Sequence, residues 1–90
     1  KPKEIKEIIS LAMSGEFLQA RKLLLDTMLR HGLSGIDTLK QIQQETVKLD
    51  NITNEKKIYL IDKCGEIEFR MVEGSDEFIQ LEALLANYAQ

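Results

Sequence analysis

Apolar residues recur at helical spacing through almost the whole of this chain, and alternate at strand spacing almost nowhere. Lys3–Ser14 sets Ile5, Ile8, Ile9 and Ala12 at i, i+3, i+4 and i+7, one face of a helix. Pro2 suits its start, because the missing N–H would be an orphan there, and Gly15 suits its end. A second helix, from about Glu16 to His31, carries Phe17, Ala20, Leu24 and Met28 on one side, with Leu18, Leu25 and Leu29 widening the stripe. Gly32 fits the left-handed position after its last turn, and His31 lies at the negative end of its dipole. Ser34, with Asp37 three residues on, reads as the N-cap of a third helix whose apolar side is Ile36, Leu39, Ile42 and Val47. After the turn Asp50-Asn51-Ile52-Thr53, Thr53 caps a fourth helix from Asn54 to about Glu73. Gly74-Ser75 breaks the chain, and Ser75 ahead of Asp76 and Glu77 starts a fifth. Connections this short make neighbours antiparallel. The fold class expected is all-α, a compact bundle of five helices forming one domain over residues 1–90.

Ninety residues can enclose one small core. The chain is 43% hydrophobic and 30% charged, which excludes a disordered or collagen-like polymer. Cys64 stands alone, so no internal disulfide forms and no oxidising compartment is required. A cytoplasmic protein is expected, or a nuclear one in a eukaryote. No apolar run approaches the roughly 18 residues of a membrane span, so no membrane partner is expected. A first residue of Lys1 is read as the start of a fragment of a longer chain. The net charge of −3 is unevenly placed. Residues 1–33 hold six basic and four acidic groups, and residues 34–90 six basic and eleven acidic. The acidic part argues against a surface that neutralises many phosphates.

Catalytic and ligand-binding patterns are absent from the sequence. A phosphate-cradling loop needs clustered glycines, and Gly15, Gly32, Gly35, Gly65 and Gly74 are scattered singly. His31 is the sole histidine and Cys64 the sole cysteine, too few for zinc. Cys64 has no base at i±3 or i±4, so a buried inert thiol is expected. No catalytic, cofactor-binding or metal-binding residue is assigned, and the domain reads as non-enzymatic. One alternative is a helix-turn-helix DNA-binding domain, in which helices two and three flank Gly32-Leu33-Ser34. It would present Thr38, Lys40, Gln41, Gln43 and Gln44 to base edges. Only Lys40 and Lys48 are basic on that third helix, and Asp37, Glu45 and Asp50 offset them. Another alternative is a stand-alone helical protein-interaction adaptor.

The last two helices carry more apolar surface than one small core needs. With Ile58 at zero on a helical wheel, Ile61, Gly65, Phe69 and Val72 fall within about 60° of it. Leu60, Cys64, Ile67 and Met71 make a second stripe about 180–240° round, leaving the polar residues about 100° of arc. On the fifth helix Phe78, Leu81, Leu84, Leu85 and Tyr88 make one wall, and Ile79, Ala83 and Ala86 another. Either these helices form the middle of the bundle or one of their faces meets another protein. Glu68 falls between the two stripes of helix four, where a carboxylate must reach water or be hydrogen-bonded or paired.

The segment Gly65-Glu66-Ile67-Glu68-Phe69-Arg70-Met71-Val72-Glu73-Gly74, continued by Glu77-Phe78-Ile79-Gln80-Leu81-Glu82-Ala83-Leu84-Leu85-Ala86, carries a family resemblance. It resembles the C-terminal collar domain of the small subunit of replication factor C, the sliding-clamp loader, in its archaeal form. Pro2-Lys3-Glu4-Ile5, Gly15-Glu16-Phe17-Leu18-Gln19-Ala20-Arg21 and Gly32-Leu33-Ser34-Gly35 agree, and the likeness covers nearly the whole chain. The resemblance implies a subunit-assembly domain that holds a ring together. An AAA+ ATPase region, absent from this sequence, would use ATP and Mg to load the sliding clamp onto primer-template DNA. The implied partners are other clamp-loader small and large subunits, in a homo- or hetero-oligomeric ring. The sliding clamp and DNA would be met through the absent ATPase region. No cofactor is implied for these ninety residues. The resemblance gives the apolar excess a destination, with Ile79, Ala83, Ala86, Leu60, Ile67 and Met71 as the expected subunit-interface residues, and implies a structural polar role for Glu68.

Overall fold

A computed structural model describes residues 2–89. The described residues form five helices: α1 (Glu4–Met13), α2 (Phe17–His31), α3 (Gly35–Val47), α4 (Asn54–Val72) and α5 (Glu77–Leu85). Their ends follow the local chemistry of the sequence. The Ser34 hydroxyl accepts the Asp37 N–H (3.1 Å) and the Thr53 hydroxyl accepts the Lys56 N–H (3.1 Å), each satisfying one of the orphan donors of a first turn. Gly32 takes a left-handed φ of 62°, which lets the Leu33 N–H turn back to the Met28 carbonyl at 3.0 Å.

The fifth helix is capped one residue later than the sequence suggests. Asp76, not Ser75, is its N-cap, and its carboxylate accepts the Ile79 N–H at 2.9 Å. Ser75 is engaged in ending α4, its N–H reaching the Arg70 carbonyl at 3.0 Å around Gly74. A charged carboxylate is also the stronger acceptor for a backbone N–H.

The helices pack in the order α1, α2, α5, α4, α3 around the bundle, and α3 also crosses to α5. Each of α3 and α5 therefore touches three others, whereas α4 packs against α3 and α5. Helix four is thus peripheral, and the middle belongs to α3 and α5. The more polar α3 can occupy that place in part because two of its inward polar groups, Thr38 and Thr46, bond locally. Thr38 Oγ1 donates to the Ser34 carbonyl (2.8 Å) and Thr46 Oγ1 to that of Ile42 (2.7 Å). Around them Ile5, Ile8, Leu24, Ile42, Leu60 and Leu81 are fully enclosed. Tyr88, beyond the end of α5, closes the core, its hydroxyl 2.7 Å from Thr46 Oγ1.

The junction of α3 and α5 is close. The Gly35 N–H donates to Glu77 Oε1 at 2.8 Å, and a Cβ on Gly35 would lie 2.5 Å from the Glu77 Cβ. Only glycine admits that approach.

Candidate protein interface

Helix α4 separates its two apolar stripes cleanly. Leu60, Cys64, Ile67 and Met71 point into the bundle and are buried. Ile58, Phe69 and Val72 point away from it and are 67%, 63% and 65% exposed. Leu60, Ile67 and Met71, expected at a subunit interface, therefore lie inside the chain's own core, out of reach of a neighbouring molecule. The reason is positional: α4 needs one stripe to hold it on α3 and α5, and the 180–240° stripe is the one turned to them. The stripe left free is the one through Ile58 and Phe69.

On α5 the structure gathers Ile79, Ala83 and Ala86 on one outward side, all exposed, opposite the buried Leu81, Leu84 and Leu85. Arg21 joins α2 to this helix by an ion pair with Glu82, and its guanidinium lies 5.3 Å from the Phe78 ring. Asn87 ties α4 to the C-terminal end of α5, accepting from the Tyr59 hydroxyl (2.8 Å) and donating to the Ala83 carbonyl (3.0 Å).

A third exposed apolar stripe, on α2, escaped the sequence reading. Leu18, Leu25 and Leu29 do not widen the inward stripe of Ala20 and Leu24; Leu18 and Leu29 are 76% and 74% exposed. The signal was present. Lys22 falls in the same arc as these leucines, and a lysine inside an apolar stripe marks a face open to water.

Glu68 lies exposed at the margin of the free α4 stripe, and its carboxylate makes no hydrogen bond or ion pair with another described residue. The domain itself therefore gives it no structural bond; its wheel position is solvated because the stripe beside it is. The buried carboxylate is instead Glu45, 7% exposed, with Lys48 Nζ 3.7 Å from its Oε2. The amphipathic pattern of α3 did not mark it.

Cys64 is buried, its sulfur 3.9 Å from the Tyr88 hydroxyl. Burial pushes the thiol up from its ordinary value, and burial together with the neighbouring Cys64 pushes the Tyr88 phenol up further. Both stay protonated near neutral pH, a poor nucleophile and a poor base. No group of three metal-ligating side chains comes together among the described residues. No described helix is long and apolar enough to cross a membrane. Of the side chains proposed to read base edges, Thr38 is buried, Gln41 and Gln43 are half-buried, and Lys40 and Gln44 are exposed, so they do not form one free face.

The arrangement is a small helical body with three apolar patches, and its sequence matches the replication factor C C-terminal domain over residues 1–87. The chain belongs to that family. It is 50% identical over 88 residues to the replication factor C small subunit of Thermococcus kodakarensis, covering 98% of this chain and 10% of that protein. It is 48% identical to the small subunit of Sulfurisphaera tokodaii and 47% to that of Sulfolobus acidocaldarius, each over 89 residues. Those two matches cover 98% of this chain and 27% of each relative. The chain thus spans about a quarter or less of the length of these relatives. The replication factor C C-terminal domain accounts for almost all of it.

Proposed function

We propose that this domain is the collar of a clamp-loader small subunit, the part that holds neighbouring subunits together. The observation that carries the reading is the outward stripe of α4, three large apolar side chains facing water on a helix whose other stripe already anchors it. The exposed Ile79, Ala83 and Ala86 of α5 and the leucines of α2 extend the available surface. Scattered exposed leucines are ordinary on any protein, whereas stripes on three helices are surface suited to burial by a partner. The domain is non-catalytic in this reading, and takes as partners the small and large subunits of the ring. An AAA+ region of the same subunit binds ATP and Mg and drives loading of the sliding clamp onto primer-template DNA.

The test is assembly of the complete subunit carrying Leu29→Asp, Phe69→Asp and Ile79→Asp together, followed by light scattering. Loss of the ring with retained helical circular dichroism is the expected result. A ring that assembles as before removes the reading. The ninety-residue chain alone is expected neither to hydrolyse ATP nor to load clamps.

A further inference from the structure

The free faces of α2 and α4 lie on helices that flank α5 on either side. Both present large apolar side chains, and the unpaired charges beside those side chains are opposite in sign. On α2, Lys22 stands amid Leu18, Leu25 and Leu29. On α4, Asp62 and Glu68 border Ile58, Ile61, Phe69 and Val72. Their charged neighbours are already paired: Arg21 with Glu82, Arg30 with Asp26, and Glu66 with Lys63 and Arg70. Lys22, Asp62 and Glu68 have no such partner among the described residues.

A second observation falls on the same face. Gly65 sits in the interior of α4, where glycine is a poorer helix former than alanine. Its φ is not positive, and a Cβ there would meet nothing within 4 Å. Nothing within the described chain requires glycine at this position. What its missing side chain leaves is a shallow dent on the outward surface, bordered by Ile61, Asp62, Phe69 and Arg70. That is room for a side chain from another molecule.

We propose that the outward face of α2 in one copy of this chain seats on the outward face of α4 in the next, with Lys22 opposite Asp62 and an α2 leucine in the dent at Gly65. The proposal rests on the assembly reading above and adds the partner face and the polarity of the contact. Pairing α4 with α4 would oppose acidic borders, and pairing α2 with α2 would oppose lysines, so each face rejects itself. A contact between two different faces is head-to-tail, and head-to-tail contacts generate a closed ring when their rotation closes.

The experiment is sedimentation velocity of this chain from micromolar to millimolar concentration, with Lys22→Glu, Asp62→Lys, their equimolar mixture, and Gly65→Leu. Self-association is expected in the parent chain, weakened about tenfold or more by each charge reversal and restored in the mixture. Gly65→Leu is expected to weaken it comparably while the melting temperature is unchanged or raised, which separates a blocked contact from a damaged fold. Association that is indifferent to all three substitutions overturns this pairing and leaves the assembly reading intact. A mixture that fails to restore what the single reversals lose overturns it as well. A chain that stays monomeric throughout also overturns the pairing, whereas the assembly reading is judged separately by the complete subunit.

Discussion

The two apolar stripes of α4 lie on the same helix, yet Leu60, Cys64, Ile67 and Met71 are buried while Ile58, Phe69 and Val72 lie in water. The difference is not in the helix. It comes from what packs on it: α3 and α5 cover one side, and no other described helix makes a substantial contact with α4. An apolar stripe is therefore a demand for a partner, and the bundle meets that demand once. The inward stripe acts on stability, and the outward stripe is left to act on association. Substitutions on the two sides are expected to separate these readouts.

The largest effect is expected inside. Leu60 is fully enclosed at the α4 contact with the bundle, and Leu60→Ala removes packed methyl groups and leaves a cavity. The expected loss is about 2–5 kcal/mol in urea unfolding. A loss no larger than that of a surface substitution would mean that α4 is not anchored by this stripe.

Next comes the junction of the two central helices. Gly35→Ala would place a Cβ 2.5 Å from the Glu77 Cβ, close to backbone that cannot swing aside. Overpacking of this kind costs about 1–3 kcal/mol, and thermal unfolding is the measurement. The contrast with Gly65, whose missing Cβ would meet nothing, shows that two glycines of one chain can be present for unrelated reasons.

A smaller effect is expected at the C-terminal end. Tyr88→Phe keeps the ring and removes the hydroxyl that meets Thr46. Thr46 still donates to the Ile42 carbonyl, so no buried donor is orphaned, and the loss should be about 0.5–1.5 kcal/mol. A much larger loss would show that the Thr46–Tyr88 bond holds the C-terminal residues on the core, rather than merely satisfying a hydroxyl.

Much of this architecture was legible in the sequence because it is local. Caps at Ser34 and Thr53, the turn at Gly32 and the periodicity of each helix are written within a few residues. The wheel also resolved α4 into two stripes and α5 into two walls. What could not be read locally was which stripe of α4 turns inward, since that depends on where α3 and α5 lie. For that reason periodicity alone does not separate Leu60, Ile67 and Met71 from interface residues, and the structural bond expected of Glu68, within the domain or across to a partner, is not made within the domain. The central position of α3 was hidden by its polarity, because threonines that bond their own helix behave as core residues. The close Gly35–Glu77 contact joins residues 42 apart and leaves no periodic trace.

The smallest effect on stability, and the sharpest test of the comparison, is expected on the outward stripe. Phe69 is exposed, so replacing it removes little packing, and Phe69→Ser exchanges two residues of similar helix propensity. Unfolding free energy should change by no more than about 0.5 kcal/mol. If this face receives a neighbour, the same substitution withdraws the largest aromatic anchor from it, and aromatic anchors commonly dominate such contacts. Subunit assembly should then weaken by about tenfold or more while the isolated domain unfolds as before. A variant that unfolds early would place Phe69 in the core and erase the distinction between the two faces. One that both folds and assembles normally would leave Phe69 as an ordinary exposed aromatic and move the contact to α2 or α5.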